Sequence, residues 1–326
     1  MLLVAGIVPS EDFPLTRGIV EGEGQSIAVG GRAVPCTQGT GAMLGAALSV
    51  TRYLKLDPPR AVLAGDIGRG DGTRAIYESL VESVACQAPD VLALHYCLPV
   101  MGLMRRLAEA IGRLAQRLVL IADAGAMYAA KAAGLAPGFD IFTPDAAELA
   151  FLADPAASHP AYVARHLFDA DVSRAPDLAQ TAHRQGNAAR LLLVKGETDY
   201  VVREGRVLAT IEEPDVPPLE AIGGTGDTIT GLVAAFVEAG LEHHQAAIIA
   251  ARANRTAGLM AGATPATSVW EIVRQFPQVF AEHLCEWSEV CSVPPGNEAA
   301  NAWYLRDSSC GQIARHIGPM QEVESD

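Results

Sequence analysis

Short, continuously apolar runs alternate along this chain with longer stretches whose apolar positions recur at helical spacing. Residues 60–66 read as a strand and a turn, 91–94 as the next strand, 118–123 as an apolar strand ending in an acid, and 139–144 as a short strand ending in a turn. Residues 191–196 form the clearest strand, apolar enough to be buried on both faces. Between these runs, residues 73–88 place Ile76, Leu80, Val81 and Val84 on one helical face before Pro89-Asp90 interrupts. Residues 101–117 and 245–261 are also predicted to be helical, and 198–211 reads as a hairpin turning at Glu204-Gly205. Continuous apolar strands separated by helices predict an α/β fold, a mainly parallel sheet covered by helices. The more polar residues 153–190 are expected to cross the sheet as a helical connection, with His159, His166 and His183 solvated because their spacing is not one helical turn. After about residue 284 the pattern weakens, so 1–284 is predicted as one domain and 285–326 as a C-terminal extension of unknown role.

Ligands of such sheets bind beyond the carboxyl ends of the strands. Polar or special residues recur at that edge: Asp66, Asp123, Thr143-Pro144 and Lys195-Gly196. A glycine-rich loop, Ile222-Gly223-Gly224-Thr225-Gly226-Asp227-Thr228-Ile229-Thr230-Gly231, follows the proline-rich stretch 213–218 and opens the apolar run 232–237. A helix start offers unpaired N–H groups and the positive end of the helix dipole, which favour a phosphate. Asp227 lies inside that nest, where a carboxylate serves as base to a substrate hydroxyl held beside a phosphoryl group; the competing reading is a tight turn with Asp227 or Thr228 as helix cap. Gly30-Gly31 and Gly39-Thr40-Gly41 suggest a second loop-to-helix site, or a turn packed on the core.

With 326 residues, 50% of them hydrophobic, and a mean hydropathy of +0.20, the chain has material for a large core. A formal net charge of −14 argues against a nucleic-acid surface while leaving room for a local nucleotide pocket. The six cysteines show no zinc-ligand spacing and are expected to be reduced. The apolar N-terminal stretch lacks a basic leader and soon meets Pro9, Glu11 and Asp12, and no apolar run reaches the roughly 18–20 residues of a membrane helix. A soluble, cytoplasmic protein with neither nucleic-acid nor membrane partners is expected, with homo-oligomerisation left open.

Four pieces then occur in order: Ile121-Ala122-Asp123-Ala124-Gly125, Thr143-Pro144-Asp145-Ala146-Ala147-Glu148, Leu193-Val194-Lys195-Gly196 and the glycine-rich loop. Together they resemble the ribokinase-like superfamily, and more narrowly its carbohydrate-kinase-like branch of ATP- or ADP-dependent NAD(P)H-hydrate dehydratases. That branch carries an Asp-Ala-Asp strand end, a Thr-Pro-x-x-x-Glu turn, a Leu-Lys-Gly strand end and a Gly-Gly-Thr-Gly-Asp loop. The resemblance runs from about Leu118 to Thr264 and is thinner before that. Three departures fall in the substrate half. Asp145-Ala146-Ala147 replaces His-Pro-Gly, Gly125 replaces the second Asp, and a Gly-Pro-Gly-Leu-Gly loop is replaced by Gly65-Asp66-Ile67-Gly68-Arg69-Gly70 or by the unlike His95-Tyr96-Cys97-Leu98-Pro99.

The resemblance implies a three-layer α/β/α sandwich of ribokinase type, using ATP or ADP with Mg2+ on a small-molecule substrate such as hydrated NADH or NADPH (NADHX, NADPHX). It implies Asp227 as catalytic base and Gly223, Gly224, Thr225, Gly226, Lys195, Gly196 and Asn254 on the nucleotide. It further implies Gly31, Gly41, Asp123 and Asp145 toward the substrate, and Glu148 organising magnesium through water. Local readings compete at several of these positions. Lys195 can be an ordinary strand-end lysine, Glu148 a helix cap, Asp123 a turn acid and Asn254 a polar position on a packed helix. A kinase for a sugar or vitamin precursor shares the same first step, and a silent nucleotide-binding protein would share the scaffold.

Overall fold

The computed structural model describes residues 1–22, 25–157, 174–288, 290–291 and 304–305. Its centre is a parallel sheet of β1 (Leu2–Val8), β5 (Arg60–Gly65), β6 (Val91–His95), β7 (Val119–Ala122), β8 (Ile141–Phe142) and β9 (Leu191–Val194). Antiparallel strands extend both edges: β2 (Thr16–Glu21), β3 (Ser26–Val29) and β4 (Arg32–Pro35) beyond β5, and β10 (Asp199–Arg203) and β11 (Arg206–Ile211) beyond β9. The order across the sheet is β11-β10-β9-β8-β7-β6-β1-β5-β2-β3-β4.

Because side chains alternate along a strand, each central strand feeds two cores. Leu2 and Val4 of β1 join one, Leu3 and Ala5 the other. On the first face lie α1 (Gly39–Tyr53), α7 (Thr225–Glu238) and α8 (His243–Met260); on the second lie α2 (Asp71–Gln87), α3 (Met101–Ile111), α4 (Gly125–Ala132), α5 (Ala146–Ala153) and α6 (Ala175–Arg184). This is the three-layer α/β/α sandwich expected from the sequence. Helix α7 is buried from Asp227 to Val237 and packs between α1 and α8. Each fully buried Val, Leu or Phe there contributes about 1.5–3 kcal/mol, which anchors the glycine-rich loop at its start.

Strands β5, β7, β8 and β9 fall within the runs read from the sequence, β6 extends one residue past its run to His95, and β1 lies in the apolar N-terminal stretch, outside every run read as a strand. The hairpin turns at Glu204 and Gly205, both at positive φ. Helix α3 ends at Ile111, short of residue 117. His159 and His166 lie outside the described residues, and His183 is half-buried on α6 rather than solvated. Cys36, Cys86 and Cys97 are free, but Cys285 is disulfide-bonded, contrary to the expectation of reduced thiols throughout. Among the described residues no helix is long and apolar enough to cross a membrane. Of the extension 285–326, Cys285–Ser288 is helical and Val290–Cys291 pairs antiparallel with Tyr304–Leu305.

Candidate functional site

The carboxyl ends of the central strands open into a cavity of about 990 Å³ that runs along the start of α7. Apart from Gly31 and Gly41, every candidate site residue taken from the sequence lines it: Asp123, Asp145, Glu148, Lys195, Gly196, Gly223, Gly224, Thr225, Gly226, Asp227 and Asn254. Gly31 instead makes the β3–β4 turn at φ +77, and Gly41, in the first turn of α1, packs on the carbonyl of Pro35. Neither is among the residues that line the cavity; the turn conformation accounts for Gly31 and the close approach of Pro35 for Gly41.

Gly224 is the N-cap of α7 at φ +100, a conformation that side chains rarely adopt, and it offers no capping side chain. The Thr225 N–H turns back to the Ile222 carbonyl at 3.5 Å, and the next N–H groups of the first turn, those of Gly226 and Asp227, are left to the cavity. The Thr225 hydroxyl donates backward to the carbonyls of Leu219 (2.9 Å) and Ile222 (3.1 Å), tying the loop to the segment before it. Thr228 donates to Asn254 Oδ1 at 2.7 Å, so Asn254 braces α8 against α7 as well as lining the cavity.

Asp227 lies in the first turn of α7 and is 8% exposed. Its Oδ2 accepts the Gly39 N–H at 2.6 Å, and its Oδ1 lies 3.0 Å from Nε2 of His95. Burial works against the charge. The His95 hydrogen bond and charge, the Lys195 charge and the Gly39 N–H outweigh it and hold the carboxyl below the usual carboxylate range. Asp227 therefore does not cap its own helix; it is an anion held from α1 and β6.

Lys195, just past β9, donates to Asp123 Oδ2 at 2.9 Å and reaches the Gly226 carbonyl at 3.5 Å. Burial opposes its charge, but the carboxylates of Asp123 and Glu148 lift the ammonium above the usual lysine range, so it stays cationic. Asp123 also accepts the Thr230 hydroxyl at 2.6 Å. Glu148 and Asp145 form a reciprocal cap on α5: the Glu148 N–H donates to Asp145 (2.7 Å) and the Asp145 N–H to Glu148 (2.9 Å). The capping reading of Glu148 thus holds, within the cavity wall. Burial, then the charges of Asp145 and Asp123, push the Glu148 carboxyl well above its usual range. Such crowding of acids around one lysine is a setting that a hard divalent cation relieves, and oxygen donors of this type suit magnesium.

Two residues essential to this arrangement were not legible as site residues. His95 ends β6, fully buried, and carried no local signal beyond an unlike loop. Arg255, one position after Asn254, donates to Asp199 (2.7 Å) and to the carbonyls of Gly196 (2.9 Å), Glu197 (2.7 Å) and Glu212 (3.0 Å), fixing the loop that follows Lys195. Burial pushes the Cys97 thiol up to about 12, so it offers no thiolate.

The departures from the resembling family are coupled in space. A Cβ at Gly125 would stand 2.3 Å from the Cys97 carbonyl oxygen, so the loop through His95-Tyr96-Cys97 requires glycine at 125. At the other candidate loop, the Asp66 carboxylate accepts the N–H groups of Gly68 (2.9 Å), Gly70 (2.9 Å) and Thr73 (3.0 Å) at the start of α2.

Comparison with known proteins gives a family model described as NAD(P)H-hydrate dehydratase, which matches residues 100–275. An uncharacterized protein of Methanocaldococcus jannaschii is 36% identical over 242 residues, 74% of this chain and 100% of that protein. A bifunctional NAD(P)H-hydrate repair enzyme of Hyperthermus butylicus is 34% identical over 113 residues, 34% of this chain and 20% of that enzyme. Among solved structures, the ADP/ATP-dependent NAD(P)H-hydrate dehydratase from Bacillus subtilis superposes with a TM-score of 0.50 at 14% identity, over 86% of this chain and 89% of that one, a likeness of fold alone.

Proposed function

The chain belongs to the carbohydrate-kinase-like NAD(P)H-hydrate dehydratase family, and on that footing we propose that it uses ATP or ADP to phosphorylate the hydroxyl of hydrated NADH or NADPH and then eliminates phosphate, restoring the reduced dinucleotide. The observation that carries this reading is Asp227, a buried carboxylate held ionised at the uncapped start of α7, on the wall of the cavity.

The first-turn N–H groups of α7 and the Lys195 ammonium hold the phosphates, and Asp227 takes the proton of the substrate hydroxyl as that oxygen attacks the terminal phosphorus. The bond to the bridging oxygen breaks and the spent nucleotide leaves. The electron-rich nitrogen heterocycle then expels the phosphorylated oxygen as phosphate, and loss of a proton from the neighbouring carbon restores the ring. Glu148 is the residue that would hold magnesium, through water, and the ion would supply neutralisation of the phosphate charge. Asn254 and Gly196 complete the nucleotide side; Asp123 and Asp145 border the substrate side.

A second reading, kinase action on a different small alcohol, is favoured by one observation. The loop through Tyr96, one of the two candidates for the resembling family's glycine-rich substrate loop, has none of those glycines, and Tyr96 lines the cavity. Both readings share Asp227 and part only after the first transfer.

The deciding experiment follows near-ultraviolet absorbance of reduced nicotinamide from hydrated NADH with ATP or ADP and magnesium. Nucleotide-dependent recovery that is lost in Asp227→Asn supports the dehydratase and names the donor. No recovery from folded protein that binds nucleotide overturns it in favour of a kinase, to be pursued with a panel of alcohols.

A further inference from the structure

Tyr96 follows the last residue of β6 and lies between His95 and Cys97, which are both fully buried, yet it is itself 44% exposed. The loop that carries it is pinned on both sides. The Leu98 N–H donates to the Thr73 hydroxyl of α2 at 3.1 Å, and the Cys97 carbonyl presses on Gly125, where a Cβ would stand 2.3 Å away. Among the described residues, five other than glycine have positive φ: Lys55, Ala88, Tyr96, Ala124 and Glu204. Lys55 and Ala88 close α1 and α2, and Glu204 turns the β10–β11 hairpin, where the left-handed conformation is ordinary. Tyr96, at φ +54, closes no helix and turns no hairpin. For a bulky side chain that conformation is costly, and it persists where the surroundings impose it, most often at a ligand site.

The ring stands on the acceptor side of the cavity. It meets the His95 imidazole at a steep angle with centroids 4.6 Å apart, and Nε2 of that imidazole is 3.0 Å from the Asp227 carboxylate. The phenol lies in the fields of Asp227, Asp123, Glu148 and Lys195, all on the cavity wall. Burial, then the three acids, hold it above the usual tyrosine range, so the ring stays uncharged with its hydroxyl proton in place. Among the described residues that line the cavity, Tyr96 is the one aromatic. Everything else near Asp227 is charge, hydroxyl or backbone. A phosphate or a sugar hydroxyl gains little from an aromatic surface, whereas a flat conjugated ring gains stacking.

We propose that Tyr96 is a specificity-determining residue, whose ring packs against a flat, conjugated ring of the acceptor substrate and sets the substrate hydroxyl beside Asp227. The inference rests on the assignment of Asp227 as base to a substrate hydroxyl, and it narrows both readings given above. A hydrated reduced nicotinamide, through its conjugated portion, and a heteroaromatic vitamin precursor fit it; a sugar does not. The strained backbone and the pinned loop are what hold the ring in that place before any substrate arrives.

The experiment measures binding to the full chain, with ADP and magnesium saturating the donor side, for two matched pairs of probes. NADH and ADP-ribose differ by the nicotinamide ring and are compared by calorimetry. Pyridylmethanol and cyclohexylmethanol carry one hydroxymethyl group on a flat and a puckered ring and are compared by ligand-observed NMR. The native protein is expected to prefer the flat-ring member of at least one pair by about tenfold. Tyr96→Asn, whose side chain tolerates the left-handed conformation, should reduce that preference to about twofold or less, and Tyr96→Phe should keep it. Tyr96→Gly, free at positive φ, serves if the asparagine variant does not fold. No preference in either pair overturns the proposal, and so does a preference that survives without the ring. A preference lost equally in Tyr96→Phe also overturns it, because the hydroxyl and not the ring would then be the recognising group. The function proposed above fails separately. A preference confined to pyridylmethanol discards the dinucleotide and leaves Tyr96 in its role, whereas NADH recovery with the same KM in native protein and Tyr96→Asn leaves the reaction standing and removes Tyr96.

Discussion

Lys195 Nζ lies within 3.2 Å of both carboxylate oxygens of Asp123, joining the ends of β9 and β7 across 72 residues of sequence. The same ammonium reaches the Gly226 carbonyl in the glycine-rich loop. One largely enclosed cation on the cavity wall thus ties two strand ends to the start of α7, which distinguishes it from an ordinary, freely solvated strand-end lysine.

Replacing Lys195 by Met is expected to leave Asp123 buried without its cation, held by the Thr230 hydroxyl and the Ala124 N–H alone. Removing one partner of a buried pair costs about 3–5 kcal/mol, to be read from urea unfolding of the two proteins. Nucleotide affinity, measured by calorimetry at a temperature where both are folded, should fall roughly tenfold or more. Unchanged affinity would remove Lys195 from the phosphate site.

Asp227→Asn should lower turnover roughly a hundredfold to ten-thousandfold while calorimetric nucleotide binding stays close to that of the native protein. The depressed Asp227 carboxyl also has a sign for stability. Its contribution is fully present above the unfolded carboxylate value and is lost as pH falls through the lower folded value. Acid unfolding of the native chain should therefore be steeper than that of Asp227→Asn in the range below the ordinary carboxylate value; parallel curves would contradict the shift.

Glu148→Gln separates helix cap from metal role. Glutamine preserves the reciprocal cap, and the raised Glu148 carboxyl means that its charge opposes folding at neutral pH. The variant should be as stable as the native protein or more so by thermal unfolding, while needing a higher magnesium concentration for half-maximal turnover. A destabilised variant with unchanged magnesium dependence would leave Glu148 with the cap alone.

Gly125→Asp restores the acid of the resembling family and should not be tolerated. Its Cβ would meet the Cys97 carbonyl at 2.3 Å, and overpacking of this kind costs about 1–3 kcal/mol. Thermal melting checks it. An unperturbed melting temperature would mean that the loop through Cys97 moves freely.

Much of this site was readable because it is built from short local patterns. Asp123, Glu148, Lys195 and Asp227 each end a strand or open a helix, and that grammar places them on one edge of the sheet. Strands β2, β3 and β4 escaped because their apolar positions are few and interrupted by glycine, charge and edge exposure. His95 and Arg255 escaped for a different reason. Each acts through partners far along the chain, Asp227 for one and Asp199 for the other, and a lone histidine or arginine carries no spacing that announces such a partner. Gly125 was visible as a departure, but only the approach of Cys97 explains it. Gly31 and Gly41 show the converse hazard, since glycines kept for a turn and a close contact resemble a ligand loop.

Asp66 gives the helix starts along this edge unequal standing. At the start of α2 its carboxylate already occupies the N–H groups that an incoming anion would seek, and at α5 Asp145 does the same. The start of α7 has no such resident side chain. Of these three helix starts, two carry a resident carboxylate that would compete with any incoming anion, and only that of α7 leaves its cap position open.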